Sequence, residues 1–194
     1  MAESTVAADN TQSAVLELYL AEMRQLFNSM DPAPFRERDL DPKAEAYVVD
    51  WAREQASKRP LALIVHLGQE RAGENSEAML RGALHEYFRG RAVATRTQLR
   101  QLLRIGRISL VIGLAFLGLA IVMGEALASL FSNEGYATLA RESLVIGGWV
   151  ALWRPAEIFL HDWWPILGEA RLFDRLAAMP VMLRGAGTEA EQSA

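Results

Sequence analysis

The sequence predicts a mainly α membrane protein: a two-span transmembrane helical hairpin with a small cytoplasmic α/β unit formed by the N- and C-terminal segments. Three observations lead there. Residues Ile108 to Gly124 form an unbroken run without a charge. A second apolar stretch follows and ends in the charged, aromatic run GWVALWRPAEIFLHDWWP, residues 148–165. The short LALIVHL, residues 61–67, is strongly β-prone, and a lone strand cannot satisfy its own backbone.

Charge is segregated along the chain. Residues 1–75 carry 13 acidic and 8 basic side chains, a net of −5; residues 76–107 carry 2 acids and 7 arginines, a net of +5; residues 108–194 carry 9 acids and 5 arginines, a net of −4. The basic block lies directly before the long apolar run. The sequence holds no cysteine, so disulfides, thiolate catalysis and Cys-ligated zinc or iron–sulfur sites are excluded.

The start, MAESTVAADNTQSA, has no basic n-region and no apolar h-region, so it does not read as a secretory signal. Residues 1–12 are expected to be disordered. Residues 13–75 read as cytoplasmic helices plus the strand 61–67. The first helix is expected over 13–30, from apolar residues at Val15, Leu16, Tyr19, Leu20, Met23, Leu26, Phe27 and Met30. Three prolines in residues 31–42 mark a connector. Asp41 as N-cap and Pro42 at N1 start a second helix, 43–57, with Ala44, Val48, Trp51 and Ala52 on its apolar face. Both faces of 61–67 are apolar, so the strand is expected to be covered on both sides. Its best partner within the chain is PVMLR, 180–184; a strand from another subunit is the alternative.

Residues 76–107 read as an Arg-rich amphipathic helix starting after Asn75, with Leu80, Leu84, Tyr87 and Phe88 on its apolar face. At about 100° per residue, Arg89, Arg96, Arg100, Arg104 and Arg107 fall within roughly 80° of one another. Residues 108–131 form the first span. At ~1.5 Å per residue they cover about 36 Å, against a hydrocarbon core of roughly 30 Å. Residues 132–138 are expected to be a short external turn and 139–162 the second span. An interfacial helix and the strand 180–184 fill 163–184, and 185–194 is a disordered tail. Arginines cluster before the first span and recur at Arg171 and Arg175 after the second, while Arg141 alone is near the turn. That asymmetry places both termini in the cytoplasm.

Small residues, Gly106, Gly113, Ala120, Gly124 and Ala128 on the first span and Ser143, Gly147 and Ala151 on the second, suit close helix packing in lipid, within the hairpin or against another subunit. The arginine stripe reads as a positive-inside signal touching anionic headgroups, with docking to an acidic partner as the alternative. No nucleic-acid motif is visible, and the chain is acidic overall.

Arg154, Glu157 and His161 share one helix face and form, with Asp162, a polar cluster at the end of the second span. Across the hairpin, Arg104 and Arg107 are expected to pair with Glu157 or Asp162, and Glu125 with Arg141. Pro155 is expected to kink the span, and Trp149, Trp153, Trp163 and Trp164 suit the aromatic belt. The structural reading is that the cluster fixes the depth of the span. A proton or ion relay through Glu157, His161 and Asp162 is the functional one, and metal binding lacks a third ligand beside Glu157 and His161. His66, in the strand, and His85, on an exposed helix turn, read as structural. No phosphate loop, nucleophile elbow or metalloprotease motif is present. No catalytic residue, cofactor site or metal site is assigned.

The stretches LFNSMDPAPFRERDLDPKAEAYVVDWA (26–52) and GWVALWRPAEIFLHDWWP resemble an uncharacterised group of bacterial inner-membrane proteins, in which a small cytoplasmic region precedes two spans. The resemblance covers most of the chain and implies a bacterial inner membrane. It implies no activity and no site residues. The expected function is a non-enzymatic membrane-anchored adaptor or accessory subunit of an inner-membrane complex, working with a protein partner or as a homo-oligomer among anionic lipids. An oligomeric proton or ion channel or transporter subunit is the alternative, and an enzyme at the inner leaflet the third.

Overall fold

The structure is a computed structural model and describes residues 13–30, 32, 38–55, 59–68, 75–131 and 133–185. Of the ends expected to be disordered, 1–12 and 185–194, all but Gly185 lie outside these residues. So do parts of the 31–42 connector and of the turn after Leu67. The chain divides into two compact units, one made of residues 1–94 with 169–194 and the other of residues 95–168.

The first unit holds a three-stranded sheet, β1 (Ala14–Leu20), β2 (Leu61–Leu67) and β3 (Val181–Gly185), in the order β1-β2-β3. Both pairings are parallel; Leu16 lies opposite Leu63, and Leu63 opposite Val181. The expected partnership of 61–67 with the C-terminal segment is therefore observed. Gly185 closes β3 and does not belong to a tail.

The helix expected over 13–30 is not formed. Its first half is β1, and a short 3-10 turn spans Met23–Leu26. The leucines of this stretch satisfy helical spacing, but they also alternate. Ala14 and Leu16 are buried in the core and Leu18 and Leu20 pack against it, while Glu17 and Tyr19 are exposed. β2 has two backbone edges to satisfy, and the second ladder overrides the helix propensity of Leu, Ala and Glu.

Asp41 caps α1 (Pro42–Glu54) as its residue types demand. Its Oδ1 accepts from the backbone N–H of Lys43 at 2.9 Å and of Ala44 at 3.4 Å. Val48, Val49 and Ala52 of α1 are buried. After β2 the chain enters α2 (Ser76–Ala128), one unbroken helix where the sequence suggested an amphipathic helix followed by a span. Its residues up to Ala94 belong to the first unit, where Leu80, Leu84 and Phe88 are fully buried. The core joins them to Leu63 and Val65 of β2 and to Phe173 and Leu176 near the C-terminus. Alternation sends Leu61, Leu63, Val65 and Leu67 to this helical side. Ala62 and Ile64 on the opposite side are buried, but they lie outside this cluster.

The second unit is an antiparallel helical hairpin. It comprises α2 from Thr95, α3 (Glu134–Ala151), α4 (Trp153–Glu157), a π-helical turn (Ile158–Asp162) and the start of α5 (Trp163–Ala178). The turn is shorter than the expected 132–138. Asn133 caps α3 by accepting from the Gly135 N–H at 2.9 Å, and Glu134 is already helical. The two helices meet along the small residues of α2. A β-carbon on Gly106 would stand 2.8 Å from Ile158 Cγ2, and one on Gly113 2.8 Å from Leu152 Cδ2. One on Gly124 would stand 3.4 Å from the Arg141 Cα. Ala120 and Ala128 are buried on the same stripe.

On the second helix of the hairpin the seam differs by one residue from the expected Ser143, Gly147, Ala151. Gly148 faces Leu117, whose Cα a β-carbon there would approach to 3.1 Å, while Gly147 opens onto empty space. The rest of both helices is bare. Val111, Ile112, Phe116, Leu119 and Val122 are all exposed. Only 17% of the most apolar window of α2 is buried, where a core helix of a water-soluble domain buries most of its surface. Both α2 and the helical run from Glu134 to Ala178 are long and apolar enough to cross a membrane.

Candidate functional site

The polar cluster sits where the second helix of the hairpin loses its regularity. Pro155 brings no N–H to the turn before it, so the carbonyl of Ala151 has no i+4 donor. The helix breaks one residue later: Leu152 ends α3 with its N–H bonded back to Trp149 O at 3.0 Å, a 3-10 closure. The freed Ala151 oxygen lies against Gly113, 3.0 Å from where a β-carbon would be. The expected kink is thus present, as a break at Leu152 followed by the π turn.

The π turn changes which residues meet. On a regular helix Asp162 would lie about 80° round from Arg154. A π turn holds more residues per turn, and it takes back most of that offset. Arg154 Nη1 therefore reaches both Glu157 Oε2, at 2.8 Å, and Asp162 Oδ2, at 3.5 Å. One guanidinium thus serves two carboxylates. It is not sunk in the seam. Pro155 and Ile158 take the buried side, while Arg154 and Glu157 are exposed and Asp162 is half-buried. Trp153, Ala156, Glu157, Leu160 and His161 line a shallow cleft of about 370 Å³ on the outer side.

The expected pairing of Arg104 or Arg107 with Glu157 or Asp162 is absent. Both arginines point away from the seam, and so does Glu157, so one chain cannot bring them together. Among the described residues Arg100, Arg104 and Arg107 are exposed and make no ion pair. Arg96 is exposed as well, and Arg89, in the first unit, pairs with Glu86 at 3.5 Å. At the far end of the hairpin Arg141 meets Glu125 at 2.8 Å, as expected. Among the described residues no group of three or more metal-ligating side chains is assembled.

The first unit holds two polar groupings that sequence reasoning missed. Arg91 falls off the arginine stripe. It bonds Glu45 of α1 at 2.8 Å and lies 5.3 Å above the Phe173 ring. Tyr87 donates to the same Glu45, and burial first, then that hydrogen bond, pushes its hydroxyl pKa up. A cleft of about 250 Å³ beside this network is lined by Arg38, Asp39, Glu86, Tyr87, Gly90 and Arg91. The signal available in the sequence was the angular position of Arg91, set apart from its five neighbours.

The second grouping is on the sheet face away from the helices. Tyr19 stacks on His66 with centroids 4.5 Å apart, its hydroxyl donates to Glu17 at 3.0 Å, and His66 Nε2 is 3.6 Å from Glu17 Oε2. His85 departs from its expected exposure: it is half-buried, with Nε2 2.7 Å from the Met179 carbonyl. Among the described residues neither histidine belongs to a group of three or more ligating side chains.

Comparison with protein-family models, with curated proteins and with solved structures finds no match to this chain.

Proposed function

We propose that this chain is a membrane-anchored adaptor, a non-enzymatic accessory subunit of a complex in the bacterial inner membrane, with both termini in the cytoplasm. The observation that supports it most is where the apolar hairpin lies in the chain. It is inserted in the crossover between β2 and β3, which parallel strands require. The anchor is therefore not an appendage to the sheet unit, because the chain must pass through it before the third strand can be added. Almost all remaining mass is in the sheet unit, and the turn at the far end of the hairpin is a few residues long. Such a layout holds a binding module at the inner leaflet and offers little outside.

The arginines near the start of the hairpin support the orientation, each near-surface arginine gaining ~1 kcal/mol from anionic headgroups. The inner membrane of a bacterium is carried by the sequence resemblance of residues 26–52 and 148–165. The test is capture from native membranes in mild detergent, with partners identified by mass spectrometry. The reading expects a partner that stays bound through washing and is released by Arg89→Glu with Arg96→Glu. Recovery of the chain alone under several detergents contradicts it.

The outer cleft lined by Glu157 and His161 favours a second reading, an oligomeric proton or ion channel or transporter subunit. Two helices per chain enclose no pore, so this reading requires several copies. Proton flux into proteoliposomes that disappears in Glu157→Gln would support it over the adaptor.

A further inference from the structure

Two charge sets on the outside of the hairpin are mismatched within one chain. Among the described residues three arginines, Arg100, Arg104 and Arg107, make no ion pair, while Glu157 and Asp162 share the single guanidinium of Arg154. They lie at one level of the hairpin, because Gly106 of α2 packs on Ile158 of the π turn. Yet they lie on opposite outer sides of the helix pair. Counting about 100° per residue from the seam-facing Gly106, the three arginines fall roughly 100–160° round. Counted the same way from the buried Pro155 and Ile158, Glu157 also lies roughly 100–160° from the seam.

We propose that the hairpins associate side by side in a head-to-tail manner: the arginine side of α2 in one copy seats against the outer cleft of Trp153, Glu157, Leu160 and His161 in the next. The charges fit. A surplus carboxylate near the end of an apolar helix is poorly placed against lipid, and anionic headgroups repel it. The arginine side of a neighbouring copy offers the opposite charge at the same depth. The apolar residues fit as well. Ile108 beside the arginines and Trp153 and Leu160 around the cleft are 53%, 75% and 66% exposed. The two surfaces are different patches, so the contact is heterologous. A pair of copies leaves one arginine side and one cleft free, so assembly proceeds to a ring or an open row.

The proposal rests on the reading of the hairpin as membrane-spanning, and the test separates the two. The chain has no cysteine, so introduced ones report without background. Two differently tagged full-length versions, Ile108→Cys and Leu160→Cys, are co-expressed, oxidised in native membranes, and the membranes washed with alkaline carbonate. Neither substitution removes a charge from the proposed contact. The expected result is a disulfide between unlike versions in the wash-resistant fraction, without comparable like-with-like products. Arg104→Glu with Arg107→Glu in the Ile108→Cys version is expected to abolish the cross-link, and Glu157→Arg in the other version to restore it. No unlike cross-link in wash-resistant chains overturns the proposal and leaves the membrane reading standing, as do like-with-like products of equal strength. A cross-link lost with the arginines and not restored overturns the ion pairing and assigns the arginines to lipid phosphate. Chains that wash out overturn the membrane reading and the proposal together.

Discussion

Gly113 lies against the backbone of Ala151: a β-carbon on Gly113 would stand 3.0 Å from the Ala151 carbonyl oxygen. That oxygen is the one Pro155 leaves without a donor. The glycine and the proline, 42 residues apart, thus act at one point of the seam. The proline frees a carbonyl, and the glycine lets a neighbouring helix close over it, in a place where a weak Cα–H···O contact is available.

Bulk at Gly113 is therefore expected to open the hairpin. Gly113→Leu meets backbone as well as the Leu152 side chain, and overpacking of this kind costs about 1–3 kcal/mol. A β-carbon on Gly118, on the same helix, would meet nothing within 4 Å, and Gly118→Leu is expected not to destabilise the hairpin. Tryptophan fluorescence during thermal unfolding in detergent compares the two. Equal midpoints would show that the seam does not hold the hairpin together.

Phe88→Ala is expected to destabilise the sheet unit by about 3–5 kcal/mol, because the ring is fully buried against Phe173 and leaves a cavity. Chemical unfolding followed by far-ultraviolet circular dichroism measures it. A loss under ~1 kcal/mol would mean that the core collapses around the missing ring or that the packing is wrong.

Tyr87 makes the sheet unit sensitive to alkali. Its folded pKa is raised, by burial first and by the hydrogen bond to Glu45 second. Above the unfolded value of about 10 the unfolded chain releases this proton and the folded chain keeps it. The contribution is thus fully present below pH ~10 and declines as the pH rises further. Stability measured between pH 9 and 11 is expected to fall less steeply in Tyr87→Phe. The same variant is expected to lose about 0.5–1.5 kcal/mol at neutral pH with the hydrogen bond. Parallel pH profiles for the two proteins would contradict this.

At the start of α1, Asp41→Ala removes the acceptor for the Lys43 and Ala44 amides. A loss of about 0.5–2 kcal/mol is expected, and Asp41→Asn should recover most of it. Thermal denaturation of the three proteins ranks them.

Local rules read the ends of elements well. The Asp41–Pro42 helix start, the Asn75–Ser76 start of α2 and the Glu125–Arg141 pair all follow from a few neighbouring residues. So does strand 61–67, whose two apolar faces and two empty edges also pointed to the C-terminal segment. The same demand for a ladder on the second edge should have pointed to 14–20, but those leucines satisfy helical and strand spacing alike. Only the position of β2 in the folded chain decides between them.

The polar cluster was half legible. Its members were plain, and their neighbours were not. Asp162 joins Arg154 because a π turn rotates it there, and no residue type marks a π turn. Arg104 and Arg107 miss Glu157 because both sides face outward, a consequence of which glycine lines the seam. The sequence offered Gly147 and Gly148 side by side, and the one-residue difference turns that face of the helix by about 100°. The Tyr87–Glu45–Arg91 network joins residues from two helices more than 40 positions apart, beyond the reach of any local pattern.

The central claim is that the hairpin crosses the membrane with its turn outside and the sheet unit inside. Cysteine labelling in intact cells tests it directly, again without native background. Tyr136→Cys, exposed beside the turn, and Glu54→Cys, exposed at the end of α1, are treated with a membrane-impermeant maleimide before and after lysis. The account expects Tyr136→Cys to label in intact cells and Glu54→Cys only after lysis. The reverse pattern, or protection of both until lysis, would contradict it.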